Sequence, residues 1–518
     1  MTTETQREEQ DLAALPMFRS RPASVDVRAA LAGTSALAPA TNQPANLPGG
    51  GGDVPTSLPA TAAGEVVDAA ADREFWRTVR ELREEVSRRL TDDLEARGVG
   101  GTDVAAREAL GQRHIQQVLK DESERRLARN LPALDANYER RLLKALFDAM
   151  FRLGRLQPLV DRENVVNIEI SGHDRVLLLF ADGSHEWVAP VADSDDDLIA
   201  FVAFLAARDP NIEHTFTRSS PHLEMPLPGR ARLAAAAWVT PRPRVTIRLQ
   251  HLKEVDLPIL RDLGTIDRVL EEFLKSAVLA RKTFVIAGQG QGSGKTTLLR
   301  GLASALPPME SIATIETDFE LYLHEEPERH GRVFAQQARP GSGELTAAGT
   351  RAGAITTSMA LEKALRHNID RIIVGEVRGQ EVVAMFEAMQ GGNGSMSTVH
   401  ADSARDAIER LAGIAAKDKT LSETYAYRQI AQTIDLIIYI SVERDDSGAP
   451  HRFISQIIEP VKGERENPYN VTDVFVPGAD GRAVPANAPS FVDDLVRVGF
   501  DRQLLNARQG LWHEGGSR

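Results

Sequence analysis

The chain contains no cysteine in 518 residues. That excludes a disulfide framework, a thiolate zinc site and a catalytic thiol, and it fits a reducing cytoplasm. Positive charge is in deficit: 61 Lys and Arg stand against 74 Asp and Glu, a net charge of −13. A dedicated nucleic-acid binder normally shows a basic stripe, so nucleic acid is not an expected partner. Long apolar runs are also missing. A membrane span needs roughly 18–20 consecutive apolar residues. The longest candidates, Leu198–Ala207 and Leu233–Val239, are short and fit core elements. The first residues (Glu4, Arg7, Glu8, Glu9, Asp11) lack the basic-then-apolar pattern of a secretory signal. Any membrane association is therefore expected to be peripheral, through a partner and from the cytoplasmic side.

The length allows two or three domains with ample core. Residues 1–70 are rich in Ala, Pro, Thr and Gly, and read as a disordered arm that cannot bury enough apolar surface to offset the cost of ordering it. Residues 71–153 read as a helical bundle. Phe75, Trp76, Val79, Leu82, Val86 and Leu90 recur at three- and four-residue spacing, and the pattern continues over Ala105–Leu127 and Tyr138–Leu153. From residue 154 to 255 the period shifts towards two. Val165–Ile170 and Arg175–Phe180 are expected strands around a turn at Gly172, His173 and Asp174. Asp196–Ala207 is an expected helix, and Leu233–Val239 and Arg244–Leu249 are further strands. This segment carries Arg230, Arg232, Arg242, Arg244 and Arg248, of which one or two are expected to reach a phosphate from outside the loop described next.

The next segment, residues 256–462, is built around Lys282–Leu298, KTFVIAGQGQGSGKTTL. An apolar strand (Phe284, Val285, Ile286, Ala287) stops at Gly288, Gly290, Gly292 and Gly294. Ser293, Lys295, Thr296 and Thr297 follow, and then a helical pattern. Glycines let successive backbone N–H groups face a phosphate, and the helix N-terminus adds partial positive charge. The lysine can reach β/γ-phosphates and the threonine hydroxyl can bind Mg²⁺. One detail departs from the strict G-x-x-x-x-G-K-[ST] pattern: Gln289 stands where the first glycine belongs. An expected helix at Ile266–Leu279, with Thr265 as its N-cap, precedes this stretch. Strands and helices then alternate: Ser311–Glu316, Ser358–His367, Arg371–Val377, Gln380–Met389, Ser397–His400, Ala404–Ala416, Asp435–Ser441 and Phe453–Ile458. Such alternation predicts an α/β fold with a parallel-rich central sheet. The Gly/Ala/Thr-rich stretch Ala338–Ala354 reads as a mobile surface loop. Residues 463–518 read as a C-terminal extension, an accessory hairpin and helix without assigned chemistry.

A phosphate loop needs an acid to hold Mg²⁺ and a group to orient or deprotonate water. Ile372-Ile373-Val374-Gly375-Glu376 is an apolar strand, expected beside the loop strand, that ends in a carboxylate, so Glu376 is the candidate metal ligand with Thr296. Glu316 ends another strand, with Asp318 and Glu320 close behind, and is the candidate base. Parallel strand ends gather at one sheet edge, where ligands bind. His400 ends a third strand after the small-residue run Gly391–Ser395, where it could sense a γ-phosphate.

Together these pieces resemble the secretion ATPase superfamily of type II and type IV systems, and within it the CpaF-type ATPases of tight-adherence pilus machinery. Gly290–Thr297 resembles the family's Walker A loop. TIETDFEL (Thr314–Leu321) resembles its acidic box, DRIIVGEVRG (Asp370–Gly379) its Walker B box, and GSMSTVHA (Gly394–Ala401) its histidine box. LGRLQPLV (Leu153–Val160) and VTIR (Val245–Arg248) resemble its amino-terminal domain. The resemblance implies a RecA-like P-loop NTPase domain preceded by a mixed α/β domain and a helical segment. It implies an ATP- and Mg²⁺-dependent ATPase, a homo-oligomer (a hexameric ring) and an inner-membrane platform protein as partner. By motif, Gly290, Gly292, Ser293, Gly294, Lys295, Thr296 and Thr297 would hold the nucleotide. Thr296 and Glu376 would hold Mg²⁺, Glu316 would activate water, and His400 would lie near the γ-phosphate. Arg232 and Arg248 would reach in from the amino-terminal domain, and Arg378 would support. Departures are Gln289, the Glu316-Thr317 pair where Glu-Asp is usual, and Gly391-Gly392-Asn393 without a first histidine.

The expected function is an ATP-hydrolysing motor of pilus assembly or secretion. The alternatives are a non-hydrolysing nucleotide-binding scaffold of the same apparatus, a DNA-translocating conjugative ATPase, and, more distantly, a small-molecule P-loop kinase. The spacing also makes a prediction for Gln289, which has glycine on both sides. Gln289→Gly, restoring the strict pattern, is expected to leave phosphate release equal or higher. A fall in turnover would make Gln289 part of the working geometry.

Overall fold

The structure, a computed structural model, describes residues 69–97, 104–208, 214–250, 254–290, 292–339, 341, 352–379, 381–390, 394–417, 421–446, 448–464 and 468–512. The expected arm lies outside the described residues except for its last two, and so does most of the loop expected at Ala338–Ala354. Helix α1 (Ala69–Arg97), α2 (Val104–Ala128) and α3 (Ala136–Phe151) carry the three predicted stripes. They close on Phe75, Val79, Val86, Ile115, Leu119, Leu142 and Leu146. Asp135 caps α3 by accepting from the N–H groups of Asn137 and Tyr138.

Six antiparallel strands follow: β1 (Val165–Ser171), β2 (Val176–Phe180), β3 (His185–Val188), β4 (His222–Leu227), β5 (Ala231–Ala236) and β6 (Arg244–Leu249), in the order β3-β2-β1-β6-β5-β4. Helix α4 (Asp195–Ala206), capped by Ser194, covers one face through Leu198, Val202 and Leu205. The strand expected at Leu233–Val239 stops at Ala236, because Trp238 takes a left-handed conformation (φ 64°) that no strand accommodates. Strands β3 and β4 were not expected. β3 is too short and exposed to show a pattern.

After α5 (Leu257–Asp262) and α6 (Arg268–Leu279) comes the second sheet. Asp267, not Thr265, caps α6: its Oδ1 accepts from Leu270 N–H at 2.8 Å, while the Thr265 N–H closes α5 on the Leu260 carbonyl. β7 (Phe284–Gly288) leads into α7 (Lys295–Ala303). Then follow β8 (Ser311–Glu316), β9 (Arg332–Gln337), α8 (Thr357–Ala364), β10 (Arg371–Val377), α9 (Glu381–Met389), β11 (Met396–His400), α10 (Ala404–Ala416), α11 (Glu423–Thr433) and β12 (Leu436–Arg444). The parallel core runs β12-β7-β11-β10-β8-β9. This is the RecA-like arrangement that the sequence predicts, with α5, α6 and α7 on one face and α8 to α11 on the other. β10 is not the neighbour of the loop strand, as its motif implied; β11 lies between them.

The chain beyond residue 460 is not a separate appendage. β13 (Pro450–Lys462), β14 (Tyr469–Pro477) and β15 (Ala483–Pro485) extend the same sheet beyond β12, each antiparallel to the strand before it. Pro460, which looks like a terminator in sequence, pairs with Val471. The last β12 partner is at Ile458, so β13 there has an open side where a missing N–H costs nothing. Helix α12 (Val492–Arg497) and Phe500 then pack on α6. Phe273 meets Phe475 and Phe500 edge-on at 5.0 and 5.8 Å.

One buried ion pair ties the sheet to its surroundings. Arg371, 1% exposed, donates to Glu310 (3.1 Å), the Gly394 carbonyl (2.7 Å) and the Val278 carbonyl (3.1 Å). It thus fastens β10 to α6 and to the turn that precedes β11. Truncating one member of a buried pair leaves the other uncompensated. Arg371→Ala is expected to destabilise this domain by about 3–5 kcal/mol, read as its chemical-denaturation midpoint. A shift no larger than that of an exposed arginine such as Arg497 would contradict this reading.

Candidate functional site

Parallel pairing brings the ends of β7, β8, β10 and β11 to one edge. His400 is the register partner of Gly288, and Val374 that of Ile315. Gly288 therefore starts the loop beside His400, while Glu316 sits one residue and Glu376 two residues past the Ile315–Val374 pair. Gly294 takes φ 95° to turn the chain into α7, and Gly292 takes φ 80°. Gln289 is exposed, and Gly290 has open space around its Cα. Thr297 is half-buried on the first turn of α7.

Lys295 is 7% exposed. Its Nζ donates to the Gly290 carbonyl (3.0 Å), Ser293 Oγ (3.2 Å), His400 Nδ1 (3.3 Å) and the Gly288 carbonyl (3.4 Å). Burial pushes its pKa down, and the charges of Glu376 and Glu320 pull it back up. The His400 imidazole is pushed below its ordinary value, by burial first and then by Lys295. As acceptor at Nδ1, a neutral ring carries its proton on Nε2, 3.0 Å from Glu376 Oε1. The other Glu376 oxygen, Oε2, lies 2.6 Å from Arg378 Nη2.

Glu316 is 2% exposed. Its Oε1 accepts from the N–H groups of Glu320 (2.9 Å) and Leu321 (3.0 Å), and its buried Oε2 has no partner. A Cβ at position 375 would press on Glu316 Cγ at 3.1 Å, so Gly375 permits the close approach of β10 to this side chain.

The Thr296 hydroxyl does not go to Glu376. It donates to Glu320 Oε2 at 3.0 Å. Arg232 pairs with Glu320 and Asp318, and Asp318 also accepts from Gln337. Register places Arg232 opposite Arg248 on β6, and the Arg248 charge is close enough to lower the Lys295 pKa. The rest of the arginine cluster is spent elsewhere: Arg230 on Glu325, Arg242 on Asp174 and Asp195, and Arg244 on Glu169. Sequence reasoning missed Arg452, which donates from β13 to the Gly292 carbonyl at 2.8 Å. No motif marks it; only the β12–β13 hairpin register carries it there. Gln250 was missed too; its side chain donates to the Glu320 carbonyl at 3.1 Å.

The oxygens gathered here, Thr296, Glu320 and Glu376, are the hard donors that Mg²⁺ takes. Mg²⁺ usually binds through one or two protein oxygens plus phosphates and water. Among the described residues no cluster of three or more His, Cys, Asp or Glu stands ready to hold a metal ion.

Residues 230–449 match the family described as "Type II/IV secretion system protein". VirB11 of Agrobacterium fabrum is 32% identical over 173 residues, 33% of this chain and 46% of VirB11. The type IV secretion system protein PtlH of Bordetella pertussis is 39% identical over 142 residues, 27% of this chain and 39% of PtlH. The chain spans about half the length, or less, of the curated relatives it matches. Among solved structures, the Legionella pneumophila ATPase DotB is 18% identical and overlaps 61% of this chain and 81% of its own, at a TM-score of 0.42. The pilus retraction motor PilT with bound ADP is 16% identical and overlaps 71% and 97%, at 0.41. At such scores the fold rests on the strand order alone. The matched segment begins at β5 and so includes Arg232, Arg248 and every strand end of the site. Among its described residues, as in the rest of the described chain, no helix is long and apolar enough to cross a membrane.

Burial pushes the Glu316 carboxyl up to about 7, from 4.5. Between those pH values the folded protein holds a proton that the unfolded chain has released. The stability this contributes is full below about pH 4.5 and is lost as pH rises through about 7. Glu316→Gln cannot ionise, so its melting temperature is expected to exceed wild type at pH 8. The gap corresponds to about 3 kcal/mol and closes below pH 4.5. Parallel melting curves across this range would contradict the burial argument.

Proposed function

We propose that the chain is an ATP-hydrolysing motor of the CpaF type, powering pilus assembly or protein secretion through a platform protein in the inner membrane. The observation that carries this reading is the convergence of Lys295, Thr296, Glu316, Glu376 and His400 on one sheet edge, faced by Arg232 and Arg248 from the preceding domain. In this reading, the loop from Gly290 to Gly294 and the start of α7 cradle the phosphates with backbone N–H groups. Lys295 turns its ammonium from loop carbonyls to the β/γ-phosphates. Exchanging neutral acceptors for an anion suits a buried cation. Thr296 and Glu376 hold Mg²⁺, which when bound neutralises phosphate charge.

Glu316 accepts the proton of the attacking water at its unpartnered Oε2. Its raised pKa suits general-base work near neutrality, and two backbone N–H groups on Oε1 keep the carboxylate aimed. His400 donates from Nε2 towards the γ-phosphate region while Nδ1 stays on Lys295. Arg232 and Arg248 supply positive charge from the amino-terminal domain, so that domain closure and charge stabilisation coincide. Arg378 positions Glu376. The assembly proposed is a homo-oligomeric ring, expected to be a hexamer, working at the cytoplasmic face of the membrane.

Lys295→Ala is expected to reduce phosphate release at least a hundredfold. The same preparations, run on size exclusion with and without ATP, are expected to show a nucleotide-favoured multimer for wild type. Unchanged turnover in Lys295→Ala would sink the ATPase reading.

A further inference from the structure

Glu320, in the acidic box, connects four groups across the site. Its N–H donates to Glu316 Oε1 (2.9 Å) and its carbonyl accepts from Gln250 (3.1 Å). Its carboxylate accepts from the Thr296 hydroxyl (3.0 Å) on one oxygen and from Arg232 on the other. It therefore touches the candidate base, the candidate metal-binding hydroxyl and two residues of the preceding domain. The carboxylate of the Walker B strand, by contrast, pairs with Arg378 through Oε2, while its buried Oε1, 3.0 Å from His400 Nε2, has no hydrogen-bond partner.

We propose that Glu320 is the positioning residue for the Thr296 hydroxyl, and that through Arg232 it makes metal binding depend on the amino-terminal domain. This rests on the nucleotide-site reading given above. A threonine hydroxyl has one proton and two lone pairs. Donating the proton to Glu320 fixes the rotor, so the lone pairs point away from the carboxylate and are available to a cation. Partners of this kind, one step behind the ligand, typically change metal affinity by 10–100-fold when removed. Arg232 holds the carboxylate by a charge-assisted bond and is itself anchored on Asp318. The orientation of Thr296 is thereby relayed from β5. Moving the amino-terminal domain away would release Glu320 and let the hydroxyl rotate.

The test is a titration of full-length protein with a fluorescent ATP analogue, once in EDTA and once across a MgCl₂ series. Glu320→Ala is expected to raise the Mg²⁺ concentration at half-effect by about 10–100-fold, with binding in EDTA changed less than twofold. Glu320→Gln keeps an oxygen acceptor for Thr296 but no charge for Arg232, so it is expected to fall in between, as is Arg232→Ala. Equal weakening with and without Mg²⁺, or no change in Glu320→Ala, overturns the proposal. If Glu320→Ala does not fold, Glu320→Gln decides: a wild-type Mg²⁺ dependence there, together with one in Arg232→Ala, overturns it. Absence of nucleotide binding by the wild type would defeat the nucleotide-site reading itself, whereas wild-type binding with unaltered Mg²⁺ dependence in the variants defeats only the role of Glu320.

Discussion

A buried ammonium sets the terms for this site. Lys295 is nearly inaccessible and is held by two loop carbonyls, a serine hydroxyl and an imidazole nitrogen. None of these carries a formal negative charge, so the cation is solvated rather than neutralised, and burial lowers its pKa. Such a group is stable only in a rigid cage of dipoles, and the fold supplies one. Gly288 stays in the sheet, Gly294 turns into α7, and Arg452 pins the Gly292 carbonyl from outside. Carboxylates stand close enough to help electrostatically without touching. The result is a cation ready for an anion of the right size.

That constraint propagates to the neighbouring groups. With Lys295 charged, His400 must accept at Nδ1, which places its own proton on the Glu376 side. Glu376 meets Arg378 through Oε2, and its Oε1 lies 3.0 Å from His400 Nε2 without a hydrogen bond. Glu316, by contrast, is buried with one oxygen satisfied and one bare. Burial thus drives the Glu316 carboxyl to a higher proton affinity. The strand spacing that achieves this depends on Gly375, where any side chain would push Glu316 aside.

The second layer joins the antiparallel sheet to the parallel-cored one. Arg232 and Arg248 lie opposite each other on β5 and β6, an arrangement of like charges that is unfavourable unless anions face it. Asp318 and Glu320 provide them for Arg232, from the turn that follows β8. The acidic turn therefore does two jobs: its backbone N–H groups aim Glu316, and its side chains hold the preceding domain. Arg371 does comparable work behind the sheet, so the turn before β11 and the helix before β7 cannot drift independently.

The parallel core and its strand ends were legible in the amino-acid sequence because both are local. An apolar run that stops at Gly288, Glu316, Glu376 or His400 marks a buried strand and its exposed end, and alternation with amphipathic helices implies parallel pairing. The helical stripes around Phe75, Ile115 and Leu146 are local in the same sense. Strand neighbours are not local, so β11 between β7 and β10 came only from the tertiary structure. The same holds for Pro460 inside a strand, which depends on where β12 ends. The partner of Thr296 was illegible for a further reason. Glu320 and Glu376 are equally plausible acceptors by composition, and Arg232 and Gln250 hold Glu320 beside Thr296 while Glu376 pairs with Arg378. Sequence by itself determined which residues arrive at the sheet edge; packing between the two sheets decided which of them touch, because a hydrogen bond needs distances that only the folded chain sets.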